Sequence, residues 1–160
     1  MIARTRVAVL TRIALIILTG CIVAPPSVRA SDPGRLYDVH GTKLYVEVSG
    51  SGPPIVFLHG GFSFFDRSFT QQKAYFSAFR TVIGIDQRGH GHSPDDTRPF
   101  EYRAMAEDTA AVLQQLHVGA ADIVGHSDGG NVALLLARYH PDLVRRVVVS
   151  GANFRGDFGG

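Results

Sequence analysis

Apolar positions recur along this chain with two spacings, and from residue 36 onward segments with a period of two take turns with longer segments whose period is near 3.6. Residues 36–40 and 43–48 alternate in twos and flank Gly41-Thr42, a pattern that predicts a β-hairpin at a sheet edge. Gly50 through Pro54 interrupts it. Residues 55–58 (Ile-Val-Phe-Leu) are an unbroken apolar run of strand length, as required of a strand covered by helices on both faces, and residues 81–85 form a second such run. Between them, residues 66–79 predict an amphipathic helix whose Phe69, Tyr75, Phe76 and Phe79 are read as core rather than as a ligand box. A second helix is predicted over 102–116, with Met105, Thr109, Val112, Leu113 and Leu116 on one face. A strand at 122–124, a helix over 129–139 stopped before Pro141, and a strand at 145–149 complete the pattern. The alternation predicts an α/β fold: a mostly parallel sheet with helices on both faces, binding ligands beyond the carboxyl ends of its strands.

Charge changes the picture once the first thirty residues are set apart. The 160-residue chain has a formal net charge of +2, with 45% apolar and 19% charged residues. Arg4, Arg6, Arg12 and Arg29 all lie in the first thirty residues, which hold no Asp or Glu; without these four, twelve basic residues face fourteen acidic ones, a net of −2. The basic character belongs to the leader, and no nucleic-acid partner is expected. Residues 1–30 have the parts of an export signal: a basic start ending at Arg12, the apolar run 13–18, and small residues before Ser31. The run meets Pro25-Pro26 before reaching the roughly 20 apolar residues a membrane span needs. Val28-Arg29-Ala30 fits ordinary signal peptidase, whereas Leu18-Thr19-Gly20-Cys21 resembles a lipoprotein signal that would leave Cys21 lipidated and the domain tethered to a membrane. Residues 31–160 are thus expected to be an exported domain, periplasmic or secreted, or membrane-anchored through Cys21. Cys21 is the one cysteine of the chain and residues 31–160 hold none, so no internal disulfide can form.

The chemistry concentrates at Gly125-His126-Ser127-Asp128-Gly129, which follows a predicted strand and opens a predicted helix. G-x-S-x-G in that context is a nucleophile elbow: the glycines stand where a Cβ would strike neighbouring backbone, and the serine projects at a helix N-terminus that favours developing negative charge. Two further motifs stand at strand ends, Leu58-His59-Gly60-Gly61 and the run Asp86-Gln87-Arg88-Gly89-His90-Gly91-His92-Ser93. The three together, in this order, resemble the α/β-hydrolase superfamily over residues 36 to 153. The resemblance implies a serine hydrolase with Ser127 as nucleophile and an oxyanion hole of backbone N–H groups from Asp128 and Gly61, with Phe62 the neighbouring candidate. It implies a small ester or lactone substrate attacked through an acyl-enzyme, with no metal or organic cofactor. A serine at the elbow argues against the haloalkane dehalogenases and epoxide hydrolases of this fold, which use aspartate. Asp86, Arg88 and His90 are read as a structural turn, and neither His59, His90, His92 nor His126 as the base.

The family's chain order is serine, acid, histidine. After Ser127 the carboxylates are Asp128, Asp142 and Asp157, and the one histidine is His140, expected at the far end of the helix that Ser127 begins. The expectation is therefore an N-terminal portion of the fold, truncated after its sixth strand, with an edge strand missing its neighbours. For the chain as it stands, the alternative to a hydrolase is a non-catalytic fragment or binding module lacking the triad acid and histidine.

Overall fold

The structure, a computed structural model, describes residues 33–153. The leader with Cys21, and Asp157, lie outside the described residues. Six strands and three helices follow in the order β1 (Arg35–Val39), β2 (Thr42–Ser49), β3 (Pro54–Leu58), α1 (Phe65–Phe76), β4 (Thr81–Asp86), α2 (Tyr102–Gln115), β5 (Ala121–His126), α3 (Asp128–Tyr139) and β6 (Val144–Ser150), with a 3₁₀ turn Pro141–Leu143 before the last strand. They form one sheet in the order β1-β2-β4-β3-β5-β6. β2 runs antiparallel to both β1 and β4, while β3, β4, β5 and β6 are mutually parallel. The expected α/β architecture is therefore present, and every helix falls where the 3.6-residue period placed one.

The unbroken apolar run of β3 resolves into two cores by the pleat of the strand. Val56 and Leu58 point to one face, where Ile83, Ile85 and Ile123 join α2 through Val112 and Leu113 and α3 through Val132 and Leu136. Ile55 and Phe57 point to the other, where Val82 meets Phe65 and Phe69 of α1. Because successive side chains of a strand alternate faces, only a strand with helices on both sides can be apolar at every position.

Two expectations need correction. The hairpin turn is His40-Gly41 rather than Gly41-Thr42: both central residues have positive φ (45° and 81°), as a two-residue turn of this hand demands, while Thr42 is already paired with Val39. A β-branched threonine avoids that backbone region. Likewise, the aromatics of the first helix are not all core. The helix ends at Phe76 and departs from helical geometry at Phe69, which packs on Phe57 with ring centroids 4.9 Å apart. Phe76 also reaches Phe57, but Tyr75 and Phe79 are 66% and 48% exposed and stack edge-on in solvent. Phe79 lies beyond the last turn and so leaves the buried face.

At the end of the sheet away from the strands' carboxyl ends, Asp122 of β5 accepts hydrogen bonds from Arg80 (2.7 Å) and from Nε of Arg145 on β6 (2.7 Å). Arg145, with help from Arg80, holds this carboxyl down at about 2. On the far side of β6, among the described residues, no strand is paired, and Val148 and Val149 are exposed. No helix among the described residues is long and apolar enough to cross a membrane.

Candidate active site

Ser127 is the single residue between the end of β5 and the start of α3, and its backbone sits at φ 52°, ψ −119°. That region costs a non-glycine residue about 1–3 kcal/mol and persists only where the surroundings impose it. Three backbone hydrogen bonds do so: the Ser127 N–H donates to Ser150 O (2.7 Å), and its carbonyl accepts from Gly130 (2.8 Å) and Asn131 (3.2 Å). The flanking glycines supply the room. A Cβ on Gly125 would lie 2.2 Å from Gly129 O, and one on Gly129 would lie 2.1 Å from Leu58 O, so β3, β5 and α3 meet more closely than any side chain permits. The consequence is a serine side chain projected at the carboxyl end of the sheet.

The loop after β3 comes up against this serine. A Cβ on Gly60 would lie 3.0 Å from Ser127 Cβ, and one on Gly61 would lie 2.5 Å from Asp128 Oδ2. Gly61 is thus constrained by the Asp128 carboxylate, a neighbour that sequence reasoning did not assign to it. Phe62 has positive φ (56°) and its side chain is fully exposed. The Asp128 side chain is also more than a bystander: its Oδ1 accepts a hydrogen bond from the Tyr102 hydroxyl at 2.7 Å, tying the first turn of α3 to the first residue of α2. That bond, with burial, raises the Tyr102 phenol above its ordinary value. Neighbouring Asn131 is fully buried, its Oδ1 accepting from the Asn153 N–H at 3.1 Å. Tyr102 carries no motif, and its part in the site could not be read from sequence.

Ser127 opens into a cleft of about 360 Å³. Gly60, Gly61 and Ser63 of the loop after β3, Arg67 and Ser68 of α1, and His126 line it with the serine.

The histidines divide by their partners. His59 is buried, and its Nε2 accepts the Gln87 backbone N–H at 2.9 Å, so the ring proton must sit on Nδ1, which donates to Gly60 O at 2.7 Å. Both nitrogens are committed and no lone pair is left for a serine. Burial lowers the His59 pKa below the ordinary value, an effect the Gly60 hydrogen bond only partly opposes. The folded protein therefore binds fewer protons than the unfolded chain from the depressed pKa up to about 6.5, and stability rises with pH across that window. The expected result is a urea midpoint that drops as the pH falls from about 7.5 to 5.5, with a smaller slope in His59→Gln; equal slopes would place the titration in another group.

His92 Nδ1 lies 3.0 Å from Asp86 Oδ2, His90 Nδ1 donates to Arg88 O at 2.9 Å, His40 pairs with Asp108 and His140 with Glu107, each at 2.8 Å. Asp86 is a structural hub: its carboxylate also accepts the first N–H of α1, from Phe65 at 2.8 Å, and the His92 N–H at 3.0 Å. Arg88 is buried beside it, donating to Asp96 and Pro99 O. Among the described residues no group of three His, Cys, Asp or Glu side chains converges as a metal site.

Residues 53–157 match the family described as alpha/beta hydrolase fold. The chain is 38% identical over 130 residues to the sn-1-specific diacylglycerol lipase ABHD11 of Danio rerio, covering 77% of this chain and 37% of the lipase. Among solved structures it superposes on Est816, described as an N-acyl homoserine lactone degrading enzyme, with a TM-score of 0.71 and 34% identity, over 74% of this chain and 45% of that one. It also superposes on the epoxide hydrolase CorEH, with a TM-score of 0.70 and 29% identity, over 73% of this chain and 41% of that one. The chain belongs to the α/β-hydrolase fold family. Its relatives are hydrolases of small molecules, and it spans less than half the length of each of these three.

Proposed function

We propose that Ser127 is the nucleophile of a carboxylic-ester-type hydrolase, acting on a small ester or lactone through an acyl-enzyme. The observation that carries this reading is the strained backbone of Ser127, imposed by Gly125 and Gly129 at the junction of β5 and α3. In the reaction Ser127 Oγ bonds to the carbonyl carbon while its proton passes to a base; the carbonyl oxygen becomes an oxyanion facing the N–H groups of Asp128 and Gly61, with Phe62 as the adjoining donor. Each such donor contributes about 3 kcal/mol of transition-state stabilisation. The alkoxide then leaves with a proton, and water releases the acid. The base comes from outside the described residues, since five of the seven histidines are engaged elsewhere, His117 lies past the end of α2, and His126 is the serine's own chain neighbour.

That engagement of the histidines favours a second reading for this chain taken alone, a non-catalytic module that binds in the same cleft. A fluorophosphonate probe separates the two. Rapid labelling of the chain, lost in Ser127→Ala, supports an activated serine; labelling no faster than that of free serine supports the binding module. The leader supports export, and the mass of the mature N-terminus distinguishes Ser31 from a lipidated Cys21.

A further inference from the structure

We infer that the cleft beside Ser127 selects substrates that carry a free carboxylate, and that Arg67 is the side chain that binds it. The inference rests on the reading of Ser127 as nucleophile and names the class of substrate that site takes.

Arg67 lies in the first turn of α1 and lines the same cleft as Ser127. It is exposed, and it is paired neither with Asp66 nor with Asp128. Asp66, its chain neighbour, accepts from Lys73 Nζ at 2.9 Å. Asp128, on the serine's side of the cleft, accepts from the Tyr102 hydroxyl. Among the described residues Arg67 has no ion-pair partner, as is also true of Arg35, Arg103, Arg138 and Arg146, and of these five Arg67 alone lines the cleft. A guanidinium is a planar fork of donors matched to the two oxygens of a carboxylate, so an uncommitted one facing a reaction centre exchanges its waters for an anionic group at little geometric cost.

The rest of the lining agrees. Ser63 Oγ and Ser68 Oγ lie 2.7 Å apart and share one hydrogen, which leaves the second hydroxyl proton free to reach an acceptor. No residue lining the cleft has a hydrocarbon side chain. The side chains that line the cleft offer a short chain ending in a carboxylate a guanidinium and two hydroxyls, while Phe62 in the same loop is fully exposed. The fitting substrate is a half-ester of a short dicarboxylic acid, its ester carbonyl on Ser127 and its free carboxylate on Arg67.

The test compares two methyl esters of equal chain length, monomethyl glutarate and methyl valerate, by pH-stat titration of the protein. Wild type is expected to favour monomethyl glutarate in kcat/KM by at least tenfold, and Arg67→Gln to reduce that preference at least tenfold, mainly through KM; Arg67→Lys should restore part of it. Ser127→Ala should abolish turnover of both esters. Calorimetric binding of glutarate to Ser127→Ala protein reads the site without turnover, and adding Arg67→Gln should weaken it by a similar factor. No ester preference in wild type, no glutarate binding, or either result unchanged by Arg67→Gln overturns the carboxylate site. Glutarate binding that depends on Arg67 together with absent ester turnover overturns the nucleophile reading alone.

Discussion

Replacing Ser127 with alanine is expected to lower kcat for the proposed ester hydrolysis by about 10⁴- to 10⁶-fold, the loss seen when the nucleophile of a serine hydrolase is removed and only binding and the oxyanion donors remain. The fold should survive the change, because alanine keeps the Cβ that meets the Gly60 loop and the backbone bonds to Ser150, Gly130 and Asn131 do not use the hydroxyl. The comparison is therefore clean: kcat falls while the unfolding free energy from urea denaturation stays within about 0.5 kcal/mol of wild type, as expected of a change that opens no cavity. A variant that keeps a tenth of the activity would remove Ser127 from the chemistry.

A methyl group on Gly129 is expected to cost about 3 kcal/mol or more of stability, at the upper end for overpacking. The atoms it would strike are backbone, Leu58 O at 2.1 Å and His59 O at 2.6 Å, so no side chain can swing aside; β3 and α3 must separate. That separation also moves the Asp128 N–H away from the loop that carries Gly61, so activity should fall even at temperatures where the variant is folded. Gly119→Ala is the control. A Cβ there meets nothing within 4 Å, and the substitution should shift stability by no more than about 1 kcal/mol, toward greater stability if anything. The check is the denaturation midpoint of both variants at an unchanged m value. Equal midpoints would mean that the close approach of β3 and α3 is not needed.

What could be read in advance follows from the range of the forces involved. The runs at 55–58 and 81–85 announce strands because each residue's face depends only on its neighbours two positions away. The elbow is legible for the same reason: Gly125, Ser127 and Gly129 encode a local backbone conformation. Periodicity alone carries the first helix on to 79 and all its aromatics into the core, because the stop at Phe76 leaves no mark in the apolar spacing. The alternation of residues 36–48 places the hairpin turn only to within one residue, and the positive φ of His40 and Gly41, with Thr42 paired to Val39, fixes it.

The bond from Tyr102 to Asp128 spans 26 residues and exists because α2 and α3 pack side by side. His59 looked like any histidine near a reactive loop; only the Gln87 N–H arriving from the end of β4, 28 residues away, reveals that its ring is spent. Arg67 carried no motif at all.

By itself, then, the sequence determined the order of strands and helices, the sheet they form, and the place of Ser127 between β5 and α3. Tertiary structure decided which polar side chains are committed and which are free to meet a substrate: His59 and Asp128 are held, and Arg67 is left facing the cleft. Backbone conformation and hydrophobic period are local, set within a few residues, whereas the partner of a histidine or a guanidinium is whatever the packing of distant elements brings within about 3 Å.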